Sequence, residues 1–184
     1  MITPEDARRV RLLALDVDGV LTDNGIWIAP VGGQRVELKR FDIQDGLGLA
    51  MLRYTGIEVA WLSGRHSEAT ELRARELGVP TLIQENKARK LPAMERLLAE
   101  KGLGWDELAY VGDDLPDLPI LRRAGLPMTV ANGRPEARSL ARWVTTAPGG
   151  HGAVREIVEA ILRARGEWDA AVQRYLQERG ETAP

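Results

Sequence analysis

The sequence predicts an α/β fold, a doubly wound and mostly parallel Rossmann-like sheet with strand order 3-2-1-4-5, a protruding β-hairpin and no separate cap domain. Short apolar runs alternate with helical patterns along the 184 residues, and this alternation is typical of parallel strands joined by right-handed crossovers. Polar turn residues end several of the runs, and no Pro/Gly/Ser-rich linker divides the chain. We therefore expect a single domain over residues 1–184.

The first strand is the clearest element. Leu12 to Leu15 is a short apolar run, typical of a buried strand, and it is followed at once by Asp16-Val17-Asp18-Gly19. In an open α/β sheet, ligands bind outside the carboxyl ends of the strands. Asp16 and Asp18 are therefore predicted to lie where a ligand would bind, although a polar turn closing a strand would also explain them.

A β-hairpin is predicted next, over residues 25–41. Two alternating runs, 25–29 and 35–41, flank a turn that contains Gly32-Gly33. A two-stranded hairpin is marginal alone in water, so we expect this one, with its apolar Trp27, to pack on another surface. Another subunit is one candidate for that surface.

The remaining elements alternate between helices and strands. Helices are predicted over residues 45–54, 67–77, 90–100, 118–124, 153–165 and 167–179. Strands are predicted over 57–62, 81–83, 108–111, 128–130 and 143–145. The last helix carries one apolar stripe, Trp168, Val172 and Leu176, and should be docked on the domain.

The bulk composition bounds the function. Lys and Arg total 25 against 27 Asp and Glu, so the charge gives no case for binding nucleic acid or an anionic membrane. The chain has no cysteine, which excludes disulfides and thiolate metal sites. Residues 1–11 lack the apolar core of a signal peptide, and no apolar run approaches about 18 residues. We expect a cytoplasmic protein that binds neither nucleic acid nor a membrane.

The predicted strand order brings three loops together, because strand 1 lies between strands 2 and 4. The polar residues that this topology should gather are Asp16, Asp18, Ser63, Lys90, Asp113, Asp114 and Asp117. Such a set suits phosphoryl transfer, which needs positioning, a divalent cation and a few donors.

Each member of this set receives an expected role. Asp16 would attack phosphorus and share Mg²⁺ with Asp113 and the Asp18 carbonyl, while the Asp18 carboxyl would serve as acid and base. Ser63 would donate a hydrogen bond to the phosphate, and Lys90 would supply positive charge. Asp114 and Asp117 are expected to orient the metal ligands or Lys90, although either could instead cap the following helix.

Four short motifs of this sequence resemble those of the haloacid dehalogenase superfamily. The first motif of that superfamily resembles Asp16-Val17-Asp18-Gly19, its second resembles Ser63, its third the lysine at Lys90, and its fourth Gly112 to Asp117. Lys87 competes with Lys90 for the third motif. The resemblance implies a Mg²⁺-dependent phosphatase, and it narrows to capless phosphatases of small phosphorylated sugar acids, with an eight-carbon sugar acid 8-phosphate as the expected substrate. It also implies a homotetramer joined through the hairpins of residues 25–41.

Further substrate contacts follow from the same resemblance. They are expected at Gly64, Arg65, Asp45, His151 and Arg155. Other readings of the chain stay open: a phosphatase for a nine-carbon sialic-type 9-phosphate or another small phosphomonoester, a receiver-like phosphorylation switch, or an inactive structural paralogue.

Overall fold

The computed structural model describes residues 1–180 and confirms the predicted sheet. Its strands are β1 (Leu12–Leu15), β2 (Trp27–Val31), β3 (Gln34–Leu38), β4 (Glu58–Ser63), β5 (Thr81–Gln84), β6 (Leu108–Val111), β7 (Leu126–Thr129) and β8 (Trp143–Val144). Six of them form one parallel sheet in the order β5-β4-β1-β6-β7-β8, and β2 pairs with β3 in an antiparallel hairpin. The order is the predicted 3-2-1-4-5 with a sixth strand at the edge.

Helices cover both faces of the sheet. They are α1 (Pro4–Arg9), α2 (Ile43–Met51), α3 (Glu68–Glu76), α4 (Lys90–Lys101), α5 (Leu118–Leu121), α6 (Pro135–Leu140), α7 (Ala153–Arg165) and α8 (Trp168–Glu178). Alternate residues of β1 enter opposite cores: Leu13 and Leu15 pack with α2 and α7, whereas Leu12 and Ala14 pack with α4 and α5. A strand that is buried on both faces has a continuous apolar sequence, which explains why β1 could be predicted from its sequence.

Several boundaries differ from the prediction for local reasons. Helix α1 was not predicted; the Thr3 side chain accepts a hydrogen bond from the Asp6 N–H and Pro4 occupies the first turn, which is a favourable start. Helix α2 begins two residues early, because the Asp42 side chain caps it at the Gln44 N–H. Helix α5 ends at Leu121 rather than at residue 124.

The hairpin turn is tighter than predicted. Gly32 and Gly33 form a two-residue turn with φ of +57° and +78°, so β2 continues through Val31. The hairpin exposes large apolar side chains, among them Trp27, which is 69% exposed, and Ile28, which is 58% exposed. Residues 30–34, predicted as the turn, therefore contribute mainly strand.

No helix within residues 1–180 has the length and apolar character that crossing a bilayer requires.

Candidate active site

A cavity of about 230 Å³ opens at the carboxyl edge of the sheet, where β1, β4 and β6 end. The parallel order brings the loops after these strands to one point. The cavity is lined by Asp16, Asp18, Asn24, Gly64, Arg65, Ala88, Lys90, Asp113, Asp114, Pro116 and Asp117. The structure thus gathers eight of the residues that the sequence singled out, including both cations of the lining, Arg65 and Lys90.

Asp16 lies directly after β1 and is buried. Its Oδ1 accepts a hydrogen bond from the Val17 N–H at 2.7 Å and lies 2.6 Å from Lys90 Nζ. Burial, followed by the nearby Asp117 carboxylate, raises the pKa of Asp16 well above its usual value, while Lys90 opposes that rise. Lys90 is thus the neighbouring group that favours the ionised form of this buried carboxylate.

Lys90, the first residue of α4, is 3% exposed, and its Nζ bridges Asp16 Oδ1 at 2.6 Å and Asp117 Oδ1 at 2.7 Å. Burial favours the neutral amine, but the two carboxylates outweigh it and raise the pKa of Lys90 above its usual value. Lys87 is exposed on the preceding loop, in the left-handed region at φ +74°. Of the two candidates for the third motif, Lys90 is the one that lines the cavity.

Asp117 accepts hydrogen bonds on both oxygens. Oδ1 accepts from Lys90 Nζ and from the Tyr110 hydroxyl, each at 2.7 Å. Oδ2 accepts from the Asp113 N–H at 3.0 Å and the Asp114 N–H at 3.3 Å. Four donors thus hold this buried carboxylate, so it orients Lys90 and the Asp113 loop. Tyr110, on the central strand β6, was missed, because a tyrosine between apolar strand residues reads as core.

Asp113 has a buried carboxylate oxygen with spare hydrogen-bonding capacity. It is 5% exposed, and its Oδ1 is buried with no hydrogen-bond partner among residues 1–180. Burial, followed by the Asp117 carboxylate, raises the pKa of Asp113 to about 6. Oxygen atoms of Asp16, Asp113 and Asp117 lie within 4.8 Å of one another. Converging oxygens with an orphaned buried acceptor fit a hard divalent cation.

Gly19 makes room for this cluster. Its φ is +97°, and a Cβ at this position would lie 2.2 Å from Asp113 Oδ2. A glycine at position 19 therefore suits both the backbone conformation and the close approach of the Asp113 carboxylate.

Asp18 lines the cavity and is paired with a residue that sequence reasoning missed. Its Oδ1 lies 2.6 Å from Nζ of Lys39, whose side chain is completely buried. Lys39 comes just after β3, and the alternating pattern of the hairpin gave no sign that this lysine points inward. The hairpin therefore reaches the candidate site.

Arg65 also contacts the hairpin. Its guanidinium donates two hydrogen bonds to Glu37, at 3.0 and 2.7 Å, and the Ser67 hydroxyl donates a third at 2.7 Å. The Arg65 hydrogen bonds are the main reason why the pKa of Glu37 is lowered to about 2. The Arg65 side chain is a third exposed. It lines the cavity while its guanidinium is held by Glu37.

Ser63 and Asp114 make local contacts. The Ser63 hydroxyl donates to the Arg65 carbonyl at 2.9 Å and accepts from the Arg65 N–H at 3.2 Å, so it shapes the loop after β4. Ser67 is the N-cap of α3. Asp114 accepts from the Leu115 N–H at 2.7 Å and caps the short 3₁₀ turn Leu115–Asp117, which is the capping alternative considered for it.

Asp45, His151 and Arg155 lie outside this cavity. Asp45 is buried and accepts a hydrogen bond from the Arg155 N–H at 2.8 Å, at the start of α7. His151 Nδ1 lies 3.3 Å from Arg40 Nη1, and the Arg155 guanidinium stacks 5.0 Å from the ring centre of Trp168. The structure does not bring these three residues to the carboxylates.

The loop that contains His151 packs against the segment that follows Asp18. A Cβ on Gly149 would lie 1.8 Å from the Gly19 carbonyl, and the Gly150 N–H donates to the Val20 carbonyl at 3.0 Å. Residues 148–152 therefore pack closely on the chain that follows Asp18.

Comparison with known proteins places the chain among phosphatases. A family model of haloacid dehalogenase-like hydrolases matches residues 78–157. The 3-deoxy-D-manno-octulosonate 8-phosphate phosphatase of Escherichia coli K12 is 41% identical over 165 residues, which cover 90% of this chain and 86% of the relative.

Solved structures agree with that similarity. The 3-deoxy-D-manno-octulosonate 8-phosphate phosphatase of Moraxella catarrhalis, in complex with magnesium, phosphate and the sugar acid, superposes with a TM-score of 0.87 at 40% identity, covering 94% of this chain and 97% of that one. The cobalt-bound enzyme of Haemophilus influenzae gives a TM-score of 0.80 at 34% identity, covering 88% and 92%.

Proposed function

The chain belongs to the haloacid dehalogenase superfamily, in the family of the 3-deoxy-D-manno-octulosonate 8-phosphate phosphatases, and from that premise we propose that it hydrolyses 3-deoxy-D-manno-octulosonate 8-phosphate to the free sugar acid and phosphate. The observation that carries the proposal is the convergence of Asp16, Lys90 and Asp113 at the carboxyl edge of the sheet. The reaction class is phosphomonoester hydrolysis.

Asp16 is the proposed nucleophile. Its Oδ1 is held by the Val17 N–H and by Lys90, which leaves Oδ2 free to attack phosphorus. The new bond joins Oδ2 to phosphorus, while the bond from phosphorus to the sugar oxygen breaks and its electron pair stays on that oxygen. Asp18 donates the proton that makes the departing group a neutral alcohol. The product is a phosphoryl group on Asp16.

A water molecule then hydrolyses this aspartyl phosphate. Asp18, now a carboxylate, takes the proton of the attacking water, and the bond from phosphorus to Asp16 breaks to return the free carboxylate. Acid and base help of this kind contributes about 10² to 10⁴ in rate. Asp18 suits both steps because it lines the cavity beside Asp16.

Mg²⁺ is the proposed cofactor, held by the side chains of Asp16 and Asp113 and by the Asp18 carbonyl. The orphaned Asp113 Oδ1 supports this assignment, whereas the four donors on Asp117 argue for an orienting role there. The cation supplies positive charge that cancels the repulsion between a carboxylate nucleophile and a phosphate. Lys90 adds positive charge through its contact with Asp16 Oδ1.

Arg65 is the proposed anchor for the acidic sugar. It lines the cavity, and a planar guanidinium recognises carboxylates and phosphates well. The Glu37 pair holds the guanidinium in place, and Gly64, which lines the cavity beside it, is proposed as a further substrate contact. We propose that Asp45, His151 and Arg155 contribute to the site by supporting the loop of residues 148–152.

The hairpin is the proposed assembly surface. Trp27, Ile28, Val31 and Leu38 are each more than half exposed, an unusual concentration of apolar surface for a single chain. A homotetramer that buries these side chains would also cover the open cavities with neighbouring chains and exclude water from them. We propose the cytoplasm as the compartment.

The test is phosphate release from a panel of sugar phosphates. We expect the eight-carbon 8-phosphate to be turned over far faster than nine-carbon 9-phosphates, with activity lost in EDTA and in Asp16→Asn. If a nine-carbon substrate reacts faster, the proposed substrate is wrong, but the proposed phosphatase mechanism stands. A single, stoichiometric phosphorylation without repeated release would instead show a phosphorylation switch, and no reaction at all would show a structural paralogue.

A further inference from the structure

Lys39 is a buried lysine with no role in the mechanism above. Its side chain is 0% exposed, and Nζ lies 2.6 Å from Asp18 Oδ1, donates to the Thr70 hydroxyl at 3.2 Å and lies 4.0 Å from Glu37 Oε1. A fully buried lysine is rare unless its charge is paired. The ammonium group donates one hydrogen bond, to Thr70 on α3, and lies close to the carboxylates of Asp18 and Glu37, so its position is specified.

The contact distinguishes the two oxygens of Asp18. Oδ1 is buried against the ammonium group, while the side chain as a whole is 19% exposed and lines the cavity. Oδ2 is therefore the oxygen that can face the substrate. An aspartate on a loop would otherwise be free to rotate and exchange its oxygens.

We propose that Lys39 is a positioning residue for Asp18. This inference rests on the proposed function: Lys39 holds Oδ1, so that Oδ2 meets the departing sugar oxygen. The proton moves from Oδ2 to the sugar oxygen as the bond to phosphorus breaks with its electron pair.

The same strand supports the cavity at a second point. Glu37 and Lys39 are two residues apart, so both side chains leave the same face of the hairpin. Glu37 holds Arg65 and Ser67, while Lys39 holds Asp18. One end of the hairpin therefore fixes the acid and the cavity arginine together.

The leaving group of the substrate tests this role. A sugar phosphate releases a poor leaving group that needs the proton, whereas p-nitrophenyl phosphate releases a good one that needs little protonation. In Lys39→Met we expect kcat/KM for the sugar phosphate to fall about 100-fold and that for p-nitrophenyl phosphate to fall less than about 3-fold, because only the first depends on the acid. A purely structural loss would lower both equally.

Lys101→Met is the matched control. Lys101 is also largely buried and paired with a carboxylate, that of Glu58, but at the opposite edge of the sheet. The Lys101→Met substitution should leave kcat/KM unchanged for both substrates. Circular dichroism and size-exclusion chromatography on each variant establish that the fold and assembly are unchanged.

An equal loss on both substrates, or no loss on either, would overturn the proposal. If Lys39→Met does not fold, the isosteric Thr70→Val removes one of the contacts that aim Nζ and should show the same selectivity at smaller size. The wild-type rate on the eight-carbon sugar phosphate tests the proposed function separately. If another sugar phosphate proves to be the substrate, the same comparison is made with it.

Discussion

Magnesium should stabilise this protein more at neutral pH than at acidic pH. Burial and the Asp117 carboxylate raise the pKa of Asp113 from 3.8 to about 6 in the folded protein. In the metal-free state, an acid whose folded pKa is raised contributes stability that is present below pH 3.8 and is lost as the pH rises through about 6. A shift of about two units corresponds to roughly 3 kcal/mol. The raised pKa of Asp16 acts in the same direction.

The cation should offset this cost only where Asp113 is ionised. At a Mg²⁺ concentration of 100 times Kd, binding adds about 2.7 kcal/mol, which raises Tm by about 5 to 10 °C for a chain of this size. At about pH 5, Asp113 is roughly 90% protonated, so Kd weakens about tenfold and the gain falls by about 1.4 kcal/mol.

Thermal unfolding with Mg²⁺ and with EDTA, at about pH 5 and about pH 7.5, measures this difference. Both pH values lie above the range in which Glu37, with its pKa lowered to about 2, becomes protonated and loses its contribution to the free energy of unfolding. In Asp113→Asn, the Mg²⁺ effect should be small at both pH values. An equal Mg²⁺ effect on Tm at both pH values in the wild type would show that ionisation of Asp113 does not control Mg²⁺ binding.

Three further changes have defined outcomes. Tyr110→Phe removes one of the four donors to buried Asp117 and should cost about 1 to 3 kcal/mol in urea unfolding; no loss would show that the hydroxyl is dispensable. Gly19→Ala places a Cβ against the Asp113 carboxylate and should abolish the Mg²⁺-dependent rise in Tm, and a preserved rise would contradict the assigned metal position. Trp27→Lys should convert the assembly to smaller species in light scattering, whereas an unchanged mass would place the subunit contact elsewhere.

The positions of the site carboxylates could be predicted because they depend on a single regularity. Leu12 to Leu15 is apolar on both faces, which marks a central parallel strand, and residues just past such a strand lie at the ligand edge. Asp16 and Asp18 were located by that rule, and Asp113 by the same rule applied to β6. The strand order then brought the two loops together.

The supporting residues could not be predicted, because their roles arise from contacts between distant segments. Lys39 reaches Thr70, 31 residues away, and only the folded hairpin shows that it points inward. Tyr110 is indistinguishable in sequence from a core residue until its hydroxyl meets Asp117. Asp45, predicted to contact the substrate, accepts a hydrogen bond from the Arg155 N–H, a contact between segments 110 residues apart that the sequence does not reveal.

Asp16 should be phosphorylated during turnover. Asp18→Asn lacks the base for the second step, and p-nitrophenyl phosphate does not need the acid for the first, so the intermediate should accumulate from that substrate. Mixing this variant with radiolabelled substrate and Mg²⁺, quenching in acid and mapping the peptides should place the label on Asp16. A wild-type enzyme that turns over the substrate while the variant carries no label, or carries it on another residue, would contradict the account.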